Sequence, residues 1–96
     1  MNFEIRFLPE AGDTFDELVA QLHGRWGDRF VAKFEAKVLR ALKTISESPF
    51  IYPIVEESNE IRKCILHKNC SMIYHVKDDI VEIICFWDNR QNPLIL

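Results

Sequence analysis

Glu82, His75 and Arg62 are the residue types that cleavage of RNA through its 2′-hydroxyl would use: a carboxylate as base, a histidine as acid and an arginine on the phosphate. Hairpin spacing is what unites them. If Asp78 and Asp79 form a tight turn, antiparallel pairing sets Val76 opposite Val81, His75 opposite Glu82 and Tyr74 opposite Ile83. If Lys68 and Asn69 form the preceding turn, Leu66 faces Ser71, Cys64 faces Ile73 and Arg62 faces His75. Arg62, His75 and Glu82 then form a transverse row on three adjacent strands. A solvated cross-strand ion pair has the same spacing and contributes roughly 0.2–1 kcal/mol per opposite-charge contact, so both readings stay open.

A second charged pair lies at the end of the chain. Ile80 to Trp87 is apolar on both faces except at Glu82, as expected for a largely buried strand, and it runs directly into Asp88 and Arg90. Arg90 is placed to pair with Asp88, to cap a helix C-terminus or to serve a site at the sheet margin.

The elements that must position these groups follow from periodicity. Phe3, Ile5 and Phe7 alternate with polar residues in a first strand that Pro9 stops. Asp13 precedes a helical pattern of Phe15, Leu18, Val19 and Leu22, which Gly24 and Gly27 end around Trp26. Asp28 is placed to cap a longer helix, with Phe30, Phe34, Val38, Ala41, Leu42 and Ile45 as its apolar stripe and Lys33, Lys37, Arg40 and Lys43 mainly outside it. Pro49 closes that helix. After a loop carrying Tyr52-Pro53 come strands over Ile61 to Leu66, Ser71 to Val76 and Ile80 to Trp87, joined by connections short enough only for hairpins. The chain is expected to be one domain over residues 1–96 of class α+β: a helical hairpin packed on a mainly antiparallel four-stranded sheet in the order β-α-α-β-β-β.

The two turns together assign the sheet faces. One carries Ile61, Ile65, Met72, Tyr74, Val76, Val81, Ile83, Cys85 and Trp87, with Lys63 discordant, and should meet the helices. The other carries the Arg62-His75-Glu82 row together with Leu66, Ile73, Ile84 and Phe86, for which no helix is left. An uncovered apolar patch on a small domain marks a partner-binding surface, with a second chain as its natural cover. Between Arg62 and Lys77 stand four lysines or arginines, two histidines and no acid. That stretch suits a phosphate backbone or an acidic protein segment, with His67 and Lys68 its most accessible members.

Composition narrows the class. The net charge of -3 argues against indiscriminate nucleic-acid binding without excluding a local basic patch. No apolar run resembles a signal peptide or a membrane span, so a cytoplasmic protein is expected, with no membrane partner. Cys64, Cys70 and Cys85 show neither metal-site nor redox spacing and read as small core residues. No metal or organic cofactor is implied.

With this topology and the ending Phe86-Trp87-Asp88-Asn89-Arg90-Gln91-Asn92-Pro93, the chain resembles the RelE/ParE family of bacterial toxins. The resemblance spans nearly the whole chain: the strand-helix-helix opening, Trp26 and Phe30 at the helix junction, Ser48-Pro49 with Tyr52-Pro53, Ile61-Arg62-Lys63, and Met72-Ile73-Tyr74-His75-Val76. It implies the toxin of a type II toxin-antitoxin system, inhibiting growth, stabilising plasmids and neutralised by a cognate antitoxin. Such toxins divide between nucleases that cleave mRNA at the ribosome and poisons of DNA gyrase. In the nuclease pattern a basic set with a late tyrosine carries the reaction. Arg62 and Arg90 fall on basic positions of that set, whereas Cys64 and Ser71 stand where it has a lysine and an arginine, and Leu96 stands where it has the tyrosine. The resemblance therefore implies a ParE-like protein acting by binding. The alternatives are a nuclease reorganised around Arg62, His75, Glu82 and Arg90, or a family member that only forms a regulatory complex. Target or antitoxin contacts are expected at Lys63, Leu66, His67, Lys68, Ile73, Ile84, Phe86 and Asp88, and a homodimer would also cover the open face.

Overall fold

Proline and glycine set the helix ends in the computed structural model, which describes residues 2–68 and 70–90. Asn69, expected from the sequence in the first hairpin turn, and the segment from Gln91 to Leu96 lie outside the described residues. Helix α1 (Pro9–Trp26) begins four residues before the expected cap at Asp13. A proline at the first helical position has its φ already set and lacks an N–H that would have no partner there. Gly27 alone joins α1 to α2 (Asp28–Glu47), at φ 84°, where a side chain would be strained. Asp28 is thus the first residue of α2 and not its cap, and its carboxylate is bonded to His23.

The strands are β1 (Glu4–Phe7), β2 (Ile54–Glu56), β3 (Ile61–His67), β4 (Cys70–Lys77) and β5 (Ile80–Asp88). They form one sheet in the order β1-β5-β4-β3-β2, with β1 parallel to β5 and the other neighbours antiparallel. The α+β class and the helical hairpin on a mainly antiparallel sheet are as expected. The sheet has five strands and not four, because Ile54–Glu56, expected as loop, pairs with β3.

Both hairpin turns have the expected closure, and each strand pair then departs from simple alternation. Lys77 pairs with Ile80, and the ladder runs as expected through His75–Glu82 to Tyr74–Ile83. It then skips Ile84, so that Ile73 meets Cys85 and Met72 meets Phe86. On the other side His67 pairs with Cys70, after which Leu66 is skipped and Ile65, not Leu66, faces Ser71. Each bulge inserts one residue into a period of two and so reverses the faces of everything beyond it.

Packing explains which faces win. Arg62, Cys64 and Leu66 turn toward the helices with Met72 and Tyr74, and Phe86 packs on Phe15 with ring centroids 5.1 Å apart. Phe15 in turn stacks on Phe34 of α2. The shift sends Ile61, Lys63 and Ile65 to the open side, so the one discordant residue of the expected helix-facing set, Lys63, marked the misplaced strand. Beyond the end of β1, α1 covers β5: the Phe86 N–H donates to Thr14 Oγ1 at 2.9 Å. Cys64 and Cys70 are buried in the core as expected, whereas Cys85, paired with Ile73, is only partly buried; burial raises all three thiols, that of Cys70 to about 12 and that of Cys85 to about 11.

Candidate functional site

His75 and Glu82 face each other across β4 and β5, as expected. The His75 Nε2 to Glu82 Oε1 distance is 2.7 Å, and each side chain is about one-quarter exposed, at 26 and 24 %. The third member of the expected row is absent. The register sets Ile61, not Arg62, opposite His75. Arg62 lies on the helix side, where its Nη1 donates to the carbonyl oxygens of Phe50 (3.0 Å) and Tyr52 (2.7 Å) and its guanidinium rests 5.2 Å from the centroid of the Phe50 ring. It serves as a tie for the segment between α2 and β2.

The open side gains a cation from an unexpected quarter. Parallel pairing of β1 with β5 puts Arg6 beside Glu82, and Arg6 Nε also bonds Glu4 at 2.5 Å. Sequence spacing gave little warning of this, because the partner strands are separated by the whole helical hairpin. The observed row across the sheet is Arg6, Glu82, His75 and Ile61.

Arg90 stands far from that row. Asp88 alone is six residues along β5 from Glu82, roughly 20 Å at about 3.3 Å per residue. The Arg90 guanidinium is clamped on Asp88, with Nε to Oδ1 at 3.0 Å and Nη2 to Oδ2 at 2.8 Å. The hydrogen bonds from Arg90 hold the Asp88 carboxyl below its ordinary range. A lowered folded-state value means that the carboxylate's contribution to stability is complete above the unfolded value near pH 4 and is lost as pH falls through the folded value. In Arg90→Ala, an NMR titration of Asp88 is expected to show its midpoint rising toward the ordinary aspartate range. An unmoved midpoint would mean that the clamp does not persist in solution.

The remaining expected contact residues divide. Leu66 and Phe86 are buried in the core at 7 and 5 % exposure, which corrects their assignment to an open apolar patch. The bulges account for both. Ile73 is on the open side but only 2 % exposed, Ile84 is half-buried, and Ile65, expected in the core, is 66 % exposed. Lys63 is half-buried on the open side, and Lys68 is exposed at the β3–β4 turn. Asp88 is occupied by Arg90. Of the positions where the nuclease pattern has cations, Cys64 is buried on the helix side and Ser71 is fully buried, its hydroxyl bonded to Asn89. Nearby, the buried Trp87 Nε1 has no hydrogen-bond partner among the described residues.

One cleft was not foreseen. About 470 Å³ in volume, it lies where the end of α1 meets α2 and the end of β3, with Trp26, Phe30, His67, Arg25 and Arg90 among its walls. Trp26 is 59 % exposed and stacks on Phe30 at 5.5 Å, and Phe30 meets His67 edge to face at 5.6 Å. Burial, then Lys37 and Lys68, keep His67 below the usual histidine range.

Solved structures share this architecture at low sequence identity. The chain superposes on the chromosomal ParDE toxin-antitoxin system from P. aeruginosa with a TM-score of 0.74 and 14% identity, covering 90% of this chain and 95% of that one. A mutant of the E. coli toxin RelE in the free state gives 0.65 and 17%, over 96% of this chain and 88% of that one. The chain has the RelE/ParE toxin fold. The E. coli DinJ-YafQ toxin-antitoxin complex matches at a TM-score of 0.63 and 11% identity, over 96 and 98% of the two chains. No family model matches the sequence, and no curated protein does. On its RelE/ParE fold this chain carries the hydrogen-bonded His75–Glu82 pair on the open side, an arginine tied to backbone carbonyls beneath the sheet and a cationic aromatic cleft at the helix junction.

Proposed function

We propose that this protein is the toxin of a bacterial type II toxin-antitoxin pair, held inactive by a cognate antitoxin and acting by binding a macromolecular target, as a ParE-like poison of DNA gyrase. The fold shared with ParDE and RelE structures supports the toxin reading. The dispersal of the cleavage set carries the choice of binding over RNA cleavage: Arg62 is engaged beneath the sheet and Arg90 is clamped on Asp88 at its far end. His75 and Glu82 are left without a guanidinium from either. A transition-state phosphate there would lack the cations that the nuclease pattern supplies. Target and antitoxin both act in the cytoplasm under this reading, and no helix among the described residues is long and apolar enough to cross a membrane.

The test is expression with and without the neighbouring small reading frame. Expression alone is expected to arrest growth with DNA-damage signalling and an unchanged RNA profile, and co-expression is expected to restore growth. His75→Ala and Glu82→Gln should leave the arrest intact. Loss of arrest in both variants, with RNA cleavage in the wild type, would establish a nuclease instead. Harmless expression together with tight antitoxin binding would identify a regulatory partner without a target.

A further inference from the structure

The sheet ends on β1, and β1 carries a sequence that is complementary to itself. Phe3-Glu4-Ile5-Arg6-Phe7 reads aromatic, acid, isoleucine, base, aromatic in one direction and aromatic, base, isoleucine, acid, aromatic in the other. One side of β1 is taken by β5, and among the described residues no strand flanks the other side. The Glu4 and Leu8 N–H groups donate to the carbonyls of Asp79 and Ile83 at 3.1 and 3.0 Å, so the ladder toward β5 uses every second residue. Ile5 and Phe7 therefore aim their N–H and C=O groups outward from the edge. Groups of this kind are a template for another strand unless charge on the edge repels it. Here Glu4 and Arg6 supply both signs, and each side chain is more than half exposed. Phe7 is exposed as well, and so is Phe50, which meets Phe3 edge to face at 6.0 Å. The opposite edge is different: β2 has no cation, and Glu57 and Glu60 follow its own Glu56.

We propose that two copies of this chain pair along β1, antiparallel about a two-fold axis at Ile5, joining their two five-stranded sheets into one. That register sets Ile5 opposite Ile5, Glu4 opposite Arg6 and Phe3 opposite Phe7, the last two pairs occurring twice by symmetry. The outward N–H and C=O of Ile5 in each copy bond those of Ile5 in the other. The Phe3 N–H already donates to the Ser46 carbonyl at 2.7 Å, which leaves the Phe3 carbonyl to accept from Phe7 of the second copy. Arg6 Nε holds Glu4 Oε2 of its own chain, so both Nη groups remain for the Glu4 carboxylate across the interface. Opposite charges directly across a strand pair favour it and like charges oppose it. Parallel pairing in register would set Glu4 on Glu4 and Arg6 on Arg6, so charge selects the antiparallel arrangement. The contact lies at the edge of the sheet and not over its open side, and it does not depend on the toxin reading.

Sedimentation equilibrium of the purified protein, from about 1 to 100 μM, tests it. A reversible monomer–dimer equilibrium is expected. Glu4→Arg leaves only cations on the edge and Arg6→Glu leaves only carboxylates. Each should weaken the dimer at least about tenfold, because two attractive contacts per dimer become repulsive. Both changes in one chain reverse the order of the charges and restore their match, so the double variant should recover most of that loss. Mixing the two single variants should give a heterodimer tighter than either homodimer, an outcome that damage to the fold would not produce. A chain that stays monomeric over the whole range, as expected if Glu4 and Arg6 merely guard the edge, would overturn the proposal. A dimer indifferent to both single variants would place the contact elsewhere and overturn it too, as would a loss that neither the double variant nor the mixture reverses.

Discussion

Tyr74→Ala is expected to destabilise the protein by about 3–5 kcal/mol, as large aromatic truncations in a packed core do. Tyr74 is fully buried in the central strand, and its hydroxyl donates to the Pro49 carbonyl at 2.7 Å. Its ring meets Tyr52 edge to face at 6.5 Å. One side chain thus joins the middle of the sheet to the segment that leaves α2. A domain of this size is typically stable by roughly 5–15 kcal/mol, so the alanine variant should lie near its unfolding threshold at moderate temperature. Tyr74→Phe keeps the ring and loses only the hydrogen bond to a buried carbonyl, for a cost of about 1–2 kcal/mol. Urea denaturation of the two variants separates the contributions. An alanine variant within about 0.5 kcal/mol of wild type, the ordinary range for surface changes, would show that the segment is not held through this tyrosine.

Arg62→Ala should cost about 2 kcal/mol of stability, more than any change at the pair with which the sequence groups it. It removes two charge-assisted hydrogen bonds to backbone carbonyls and the contact with the Phe50 ring. Arg62→Lys should recover only part of this, since an ammonium lacks the planar fork that spans neighbouring acceptors. His75→Ala and Glu82→Gln, at a partly exposed pair, should each cost no more than about 1 kcal/mol. Chemical denaturation ranks the variants directly. Full stability in Arg62→Ala would return this guanidinium to the candidates for a role in function and undo the register argument.

The clefts along α2 and the Arg62 tie bear on each other. Arg62 is the cation that hairpin spacing presents as functional, yet it is spent on backbone carbonyls. Lys33, Lys37 and Arg40 look in sequence like the ordinary solvated face of an amphipathic helix, yet they line two clefts that share Lys37, one of them beside the rings of Phe30 and Phe34. Charge on a helix face acquires a role only when another element supplies a wall opposite it. Here that wall is the far end of β3, at His67 and Leu66.

The sequence by itself determined both helices, four of the five strands, both tight turns and the pairing next to the second of them. These depend on local signals: Pro9 and Pro49, the link at Gly27, alternation along β4 and β5, and connections too short for anything but hairpins. It also carried the likeness to RelE/ParE toxins that the fold bears out. Tertiary structure decided which way β3 and the second half of β5 face. The bulges at Leu66 and Ile84 arise because Cys64 and Leu66 bury better than Lys63 against the helices, and because Phe86 fits against Phe15. A hairpin pattern does not contain that competition, since its period of two is satisfied equally by either face until a helix packs on one. Arg6 beside Glu82, and Trp26 beside His67, likewise exist only after residues distant in the chain have met, and the side chains available for function followed from those encounters.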